Sequence, residues 1–491
     1  MKTRLLSTGL FLAALAVAPL AAQDTAPAAN DEDIFGQEEE VTQTTDQTQN
    51  AAPRDAILTS AVPWIAGSFT GTVGLDWNWS DVWGSGSEFL NPTSYGLSQS
   101  ATGVKLGFVA RPAADISVTG QVRTSYPFVK EIVAVTSVID VPPLVVTTTT
   151  YLVPDFTVWS LYSKFTWNDA LFFTFGKQPL KWGTGYFFSP ADDIFARSEV
   201  DLANPTAERE GPLALKVHYP IPRTMHNLYA FAVLPAASGA AALAAMKPED
   251  IAVAAKAEVL LGNTELALAG YYQRNQRPEA ILTGSTGTGD FNFFAECTVA
   301  FPSPVSENYI EATGPSTYAL IDRSAETLFS TTAGAIYTNA DWNFTAVAQY
   351  LYNGYGYSSL NLGDLIRAIL TVPGASSLVG TFSGLGKIGQ HYAVAYLGWT
   401  SLWDSDWDLS VLAIENFSDL SGYVKPALSF SCFGYVKLSG SVSLSWGGEG
   451  TEFADPAGLV AAMRDWTTIA SFVAKPSLSL SLTASIGSTS F

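Results

Sequence analysis

Between the end of one short alternating segment and the start of the next, the chain crowds charge onto a frame of glycine, proline and aromatic residues. Lys177, Lys181, Asp192, Asp193, Arg197, Glu208, Arg209 and Glu210 all fall in this stretch. Mixed cations and carboxylates on one loop can do two kinds of chemistry. Folded into an aqueous lumen, they filter solutes by size and sign. Left outside, they pair locally in water and contribute little. Trp182 and Phe187-Phe188 offer apolar anchors for an inward fold, and Gly183 and Gly185 let the backbone turn sharply. We expect this loop to fold back into an opening. Its charges should then lie at or just above the narrowest point, with Arg197 and Arg209 setting ion preference.

Other chemistry is sparse. The histidines are His218, His226 and His391, and none is near a carboxylate or serine partner in a way that suggests a shared site. There is no metal-ligand spacing, phosphate-cradling loop or Cys-pair motif. No cofactor and no enzymatic activity are expected. The two cysteines, Cys297 and Cys432, are expected in a long loop and near a tight turn, at opposite ends of the fold and too far apart to bond.

The elements that must position the charges show a period of two. In the first, Phe69, Val73, Leu75, Trp77 and Trp79 share one parity, with Thr70, Thr72, Asp76 and Asn78 on the other. Such alternation is that of strands with one apolar face and one polar face, not of helices. Parity puts Lys105, Arg111, Arg123, Lys216, Lys256 and Glu258 on the polar face, opposite Leu106, Phe108, Leu215, Val217 and Val253. Joints between segments alternate between tight and long. Tight ones include Asn168-Asp169, Gly262-Asn263 and Asp404-Ser405-Asp406, and the longest span 276–328 and 354–388. The pattern predicts an all-β, up-and-down antiparallel transmembrane β-barrel of about sixteen strands over residues 61–491. Its long external loops should carry short helices, one on the stripe Leu362, Leu365, Ile366, Ile369 and Leu370, a second on Leu459, Val460, Met463 and Trp466. Both termini should lie on the short-turn side.

Composition fits. The chain is 47% hydrophobic but only 14% charged, whereas soluble domains carry about 25% charge. A barrel exposes apolar surface without ever making a long apolar run. Residues 1–22 read as a signal peptide, with Lys2 and Arg4 before an apolar core. Residues 23–60 read as a disordered acidic tail, within which Ile34-Phe35 could dock a partner. The formal charge of −20 argues against nucleic acid.

The stretch from Phe175 to Asp193, FGKQPLKWGTGYFFSPADD, is similar to a segment of large bacterial porin-like channels, where a strand ends in Gly-Arg/Lys-Gln and the next external loop carries Trp-Gly and Pro-x-Asp. Phe491 looks like the terminal aromatic read by barrel-assembly machinery. Over roughly 62–491 the chain therefore resembles porin-type outer-membrane barrels. The resemblance implies a cell outer membrane location in contact with its lipid, diffusion of small hydrophilic solutes, and room for a homo-oligomer. Two other readings stay open: a surface adhesion protein anchored by its barrel, and a dedicated channel for an apolar or polymeric substrate.

Overall fold

Strand follows strand wherever the alternation holds. In the computed structural model the described residues run from 65 to 486, leaving out 81–93, 99–101, 114, 140–144, 197, 199, 201–204, 206–208, 236–245, 376, 379–385, 433–435, 449 and 454–476. The strands are β1 Ile65–Ser80, β2 Ser94–Ser98, β3 Gly103–Ala113, β4 Ile116–Ser125, β5 Val129–Ile139, β6 Val145–Pro154, β7 Thr157–Trp167 and β8 Leu171–Lys177. Next come β9 Leu213–Pro220, β10 Asn227–Val233, β11 Ala252–Leu261, β12 Thr264–Tyr272, β13 Glu279–Thr288, β14 Phe291–Ala300, β15 Asn308–Gly314 and β16 Thr317–Asp322. The last are β17 Leu328–Asn339, β18 Phe344–Asn353, β19 His391–Trp399, β20 Trp407–Asn416, β21 Ser421–Cys432, β22 Val436–Trp446 and β23 Ser477–Ile486. Two helices matter below, α1 Pro190–Asp193 and α2 Leu362–Thr371. None of the described helices is long and apolar enough to cross a membrane. The chain divides into a unit over Met1–Thr44, outside the described residues, and a second over Thr45–Phe491.

Every pairing in the main sheet is antiparallel, and the ladder returns to its start: β1 pairs with β3 on one side and with β23 on the other. β2 and β3 pair with successive parts of β1, so they act as one stave. The nineteen-stranded sheet is thus a ring of eighteen staves among the described residues. Closure satisfies both edges, which an open sheet would leave unpaired.

Eighteen corrects the expected sixteen. The extra pair is β13–β14, inside what the sequence offers as one long loop over 276–328. Alternation on β13 is weak, Ile281, Thr283 and Ser285 against Leu282, Gly284 and Thr286. The turn that betrays it is Gly289-Asp290, with Gly289 at φ 56°. Cys297 accordingly sits on β14 rather than in a loop. Tight and long joints still alternate, and Asn168 and Asp169 both adopt positive φ (53° and 50°), the geometry a two-residue hairpin needs.

One face of each stave is exposed and apolar: Leu106, Phe108, Phe165, Phe175, Leu268, Leu282 and Phe293 among others. The other face holds buried or polar residues. Trp167, Trp342 and Trp403 are exposed at the turn end, where indoles suit an apolar–aqueous boundary. At the loop end, β15–β16 and α2 share an apolar core of Ile310, Tyr357, Leu360, Leu362, Leu365, Ile366 and Ile369. The side chain of Asn361 caps α2 by accepting from Asp364 N. Of the stripe predicted for this helix, Leu362, Leu365, Ile366 and Ile369 are buried. The second predicted helix, the signal, the tail with Ile34-Phe35, and Phe491 lie outside the described residues.

Candidate functional site

The β8–β9 loop begins with a clamp. Gln178 Nε2 donates to Thr174 O (3.2 Å) and Ala214 O (2.9 Å), tying the loop's foot to both flanking strands. Beyond it Trp182, Phe187, Phe188 and Phe195 are all buried. Trp182 packs against Phe231 of β10, ring centroids 4.9 Å apart, and Phe188 against Tyr392 of β19 at 5.9 Å.

Two wall residues hold the crest of the loop. Glu296 of β14 accepts from Gly185 N, from Ser189 Oγ (3.1 Å) and from Ala191 N (3.3 Å). Gln349 of β18 accepts from Phe187 N (2.7 Å) and donates to Phe188 O (2.5 Å) and to Thr332 Oγ1 (2.6 Å). A segment rooted at β8 that touches β10, β14, β18 and β19 of a closed ring lies inside that ring. Gly185 is required at this crest, because a Cβ there would lie 2.0 Å from Phe188 O.

The loop's own carboxylates are largely occupied by the fold. Asp192 Oδ1 accepts from Trp182 N (2.5 Å) and Gly183 N (2.8 Å). Burial pushes its carboxyl up despite those donors. Asp193 pairs with Arg209 (2.9 Å) and Lys387 (2.6 Å). Burial pushes Asp193 up too, but Lys387 and Arg209 together outweigh it and hold the carboxyl below its usual range. Arg209 also donates from Nε to Ser198 O (2.8 Å). Glu210 pairs with Lys177, Lys181 is exposed, and Arg197 and Glu208 lie outside the described residues.

Lys177 is a correction. It pairs in register with Leu161 and Leu213, and so shares the parity of Phe173 and Phe175, which face outward. It sits at the rim on the outer face, where its Nζ reaches Val158 O (2.6 Å) and Glu210. Proximity to the loop suggested a lumen position, but the pleat decides it.

Five of the other predicted wall residues, Lys105, Arg123, Lys216, Lys256 and Glu258, take inward positions. Lys105 pairs with Thr70 and Arg123, two positions that alternate with exposed Phe69 and apolar Val122. Arg111 lies where β3 shifts register between Ala110 and Ala113, so the parity that nominated it does not carry through to it. Arg123 lies 3.6 Å from the ring centroid of Trp159 and donates to Gln121 Oε1 (2.7 Å). Lys216 and Lys256 approach the Tyr229 ring at 4.9 and 5.9 Å, and Lys256 pairs with Glu258 at 2.5 Å. Lys164, which sequence reasoning passed over, joins them on β7 opposite Ser117 and Thr174. Among the described residues, inward positions of β3 to β11 thus carry five cations, Lys105, Arg123, Lys164, Lys216 and Lys256, and one carboxylate, Glu258. Glu296, Gln349 and Lys387 were also missed, since their partners lie more than a hundred residues away and leave no local signal.

The histidines do not converge. His218 Nε2 bonds Asn227 Oδ1 (2.9 Å), His226 Nδ1 accepts from Leu260 N (3.3 Å) and His391 Nδ1 bonds the Tyr350 hydroxyl (2.6 Å). Among the described residues no group of three or more His, Cys, Asp or Glu side chains is arranged to hold a metal.

No family model matches the chain, and no curated protein matches it. Solved structures similar in fold include OccK8 (OprE) of Pseudomonas aeruginosa, at 10% identity and TM-score 0.44, covering 86% of this chain and 98% of that one. The outer membrane channel DcaP of Acinetobacter baumannii is similar at 12% identity and TM-score 0.37, with 86% and 98% covered. OmpF of Salmonella typhi, solved with daunomycin, is similar at 8% identity and TM-score 0.37, with 86% and 97% covered. Likenesses this distant carry no function across; the strand pairing and the wall chemistry of this chain must do so.

Proposed function

We propose that this chain is an outer-membrane channel for passive, weakly selective diffusion of small hydrophilic solutes, with a preference for anions. A ring of eighteen staves is wide enough to leave an aqueous lumen. The single observation that carries the reading is the β8–β9 loop, which crosses the ring to β14 and β18 while five cations line the wall from β3 to β11. The loop narrows the path. Its described carboxylates, Asp192, Asp193 and Glu210, are engaged by backbone N–H groups, Lys177, Lys387 and Arg209, so the wall cations bear on the field along the path. The exposed apolar face of the staves suits lipid, where a charge near mid-membrane would cost about 2–4 kcal/mol. On this reading the loops face outward, both termini are periplasmic, and Phe491 serves insertion.

Planar-bilayer recording tests it. The unaltered protein should give stepwise conductance with a reversal potential favouring anions under a salt gradient. Replacing Lys164 and Lys216 together with Glu should move that potential toward cations. A silent bilayer after good reconstitution, or an unmoved potential, would count against the reading.

One observation favours a second reading, a barrel-anchored interaction protein. β15–β16 and α2 form a packed unit with its own apolar core, more than a pore wall needs. Deleting 276–328 would remove β13 and β14 and break the ring. A shorter deletion within 302–326 is the discriminating variant: lost adhesion with conductance intact would favour this alternative.

A further inference from the structure

Past β22 at the loop end, residues 450–453 lie back against the inner wall. Thr451, Glu452 and Phe453 are buried. Phe453 meets the ring of Tyr423 at 5.5 Å, and its N donates to Ser421 Oγ (3.2 Å). Gly450 O accepts from Gly363 N (2.7 Å), which links the segment to the first turn of α2.

The pin is Glu452, 1% exposed. Its Oε2 accepts from the Tyr392 hydroxyl (2.6 Å) and Asn416 Nδ2 (2.8 Å). Its backbone N donates to Asp419 Oδ2 (2.7 Å). The groups that face it are therefore Tyr392 from β19, Asn416 from β20, and Asp419 with Ser421 from the turn between β20 and β21; Glu415, beside Asn416 on β20, also feels Asp419 and accepts from Trp446 Nε1 (2.9 Å). Tyr423 and, further down the same face, exposed Lys425 come from β21. On the helix side Asp364 is engaged by Tyr318 and Arg367. Lys387 is engaged by Asp193. Among the described residues neither Glu452 nor Asp419 is paired with a lysine or arginine. Two carboxylates thus meet in a buried place without a countercharge, an arrangement that holds only while one of them stays neutral.

We propose that residues 450–453 are a proton-held strap, seated on the inner wall while Glu452 keeps its proton and lifted when that carboxyl ionises, so that the mouth at the loop end widens. Glu452 gives its proton to water; its anion then faces Asp419 with only the Tyr392 and Asn416 donors to hold it. Burial first, and then Asp419, push the Glu452 carboxyl up to about 8, against the opposing bonds from Tyr392 and Asn416. Burial likewise raises Asp419. With the folded value raised, the seat is fully present below the usual glutamate range and is lost as pH rises through about 8.

Hydrogen exchange of the full chain in micelles tests the strap, read on peptides spanning 447–453 and corrected for the intrinsic pH dependence. Protection should fall by up to roughly tenfold per pH unit between the usual glutamate range and about 8, and level off above it. Glu452→Gln should stay protected throughout. Asp419→Asn, which removes the like charge, should move the transition to lower pH and keeps the test open if the first variant does not fold. Flat protection in the unaltered protein, or an unchanged transition in Glu452→Gln, would overturn the strap. The widening rests on the channel reading, so conductance is recorded over the same range. It should rise with pH in the unaltered protein and stay flat in Glu452→Gln. A pH-dependent exchange transition with a silent bilayer would keep the strap and overturn the channel.

Discussion

Glu296 shows how a single side chain fixes the loop. It supplies acceptors to Gly185 N, Ser189 Oγ and Ala191 N. Glu296→Ala should leave those donors buried and unsatisfied, loosening the loop by about 1–3 kcal/mol. Limited proteolysis between 180 and 196 is the readout: faster cleavage with the barrel's heat-modifiable gel mobility retained is expected. Asp193 adds a pH dependence of opposite sign to that of Glu452. Its folded carboxyl is held below the usual range, so its bridge between Arg209 and Lys387 is complete above that range and lost as pH falls through the lowered value. Exchange protection of 190–196 should therefore fall in acid, and Asp193→Asn should abolish that acid transition. These bonds also change what reversing Arg209 would test. Since Arg209 holds Asp193 and Ser198 O, Arg209→Glu would disturb the loop itself as well as its charge.

Elements differ in how tightly their turns constrain them. Gly289, at φ 56° with open space around its missing Cβ, carries a strain penalty alone. Gly185 would force a Cβ into Phe188 O. Gly289→Ala should therefore cost about 1 kcal/mol, while Gly185→Ala should displace the crest and raise the loop's protease sensitivity well beyond it. Urea titration of the gel shift alongside proteolysis separates the two. The same contrast explains how far the sequence could be read. β22 writes its period plainly, Val436, Leu438, Val442 and Leu444 against Lys437, Ser439, Ser441 and Ser443. β13 does not, because threonine, serine and glycine stand on both of its faces, so its hairpin looked like loop. The inward bend of the β8–β9 loop was legible from Trp182, Phe187-Phe188 and the glycines. Its acceptors on β14 and β18 were not, because a Glu or Gln on a polar strand face looks the same whether it meets water or a loop. Lys177 was misplaced for a related reason: one residue of parity separates the lumen from the outer face.

At the scale of the whole molecule, net charge and local field point in opposite directions. The chain is acidic overall at −20, yet the inward positions of β3 to β11 are cationic. Among the described acids, Asp192, Asp193, Glu210 and Glu296 are tied into structure as acceptors. The brace between β8 and the far wall has one more consequence, and it concerns time. The loop's foot lies at Gln178, but its acceptors Glu296 and Gln349 stand 111 and 162 positions from the Gly185 and Phe187 amides they receive. The crest cannot settle until β14 and β18 are in place. Until then its buried aromatics have no wall to cover them. A ring that closed first around an unsettled loop would have to admit it afterwards through its own mouth. The seating of this loop is thus a late event in the making of the barrel, and the completed wall serves as the template for its own narrowing.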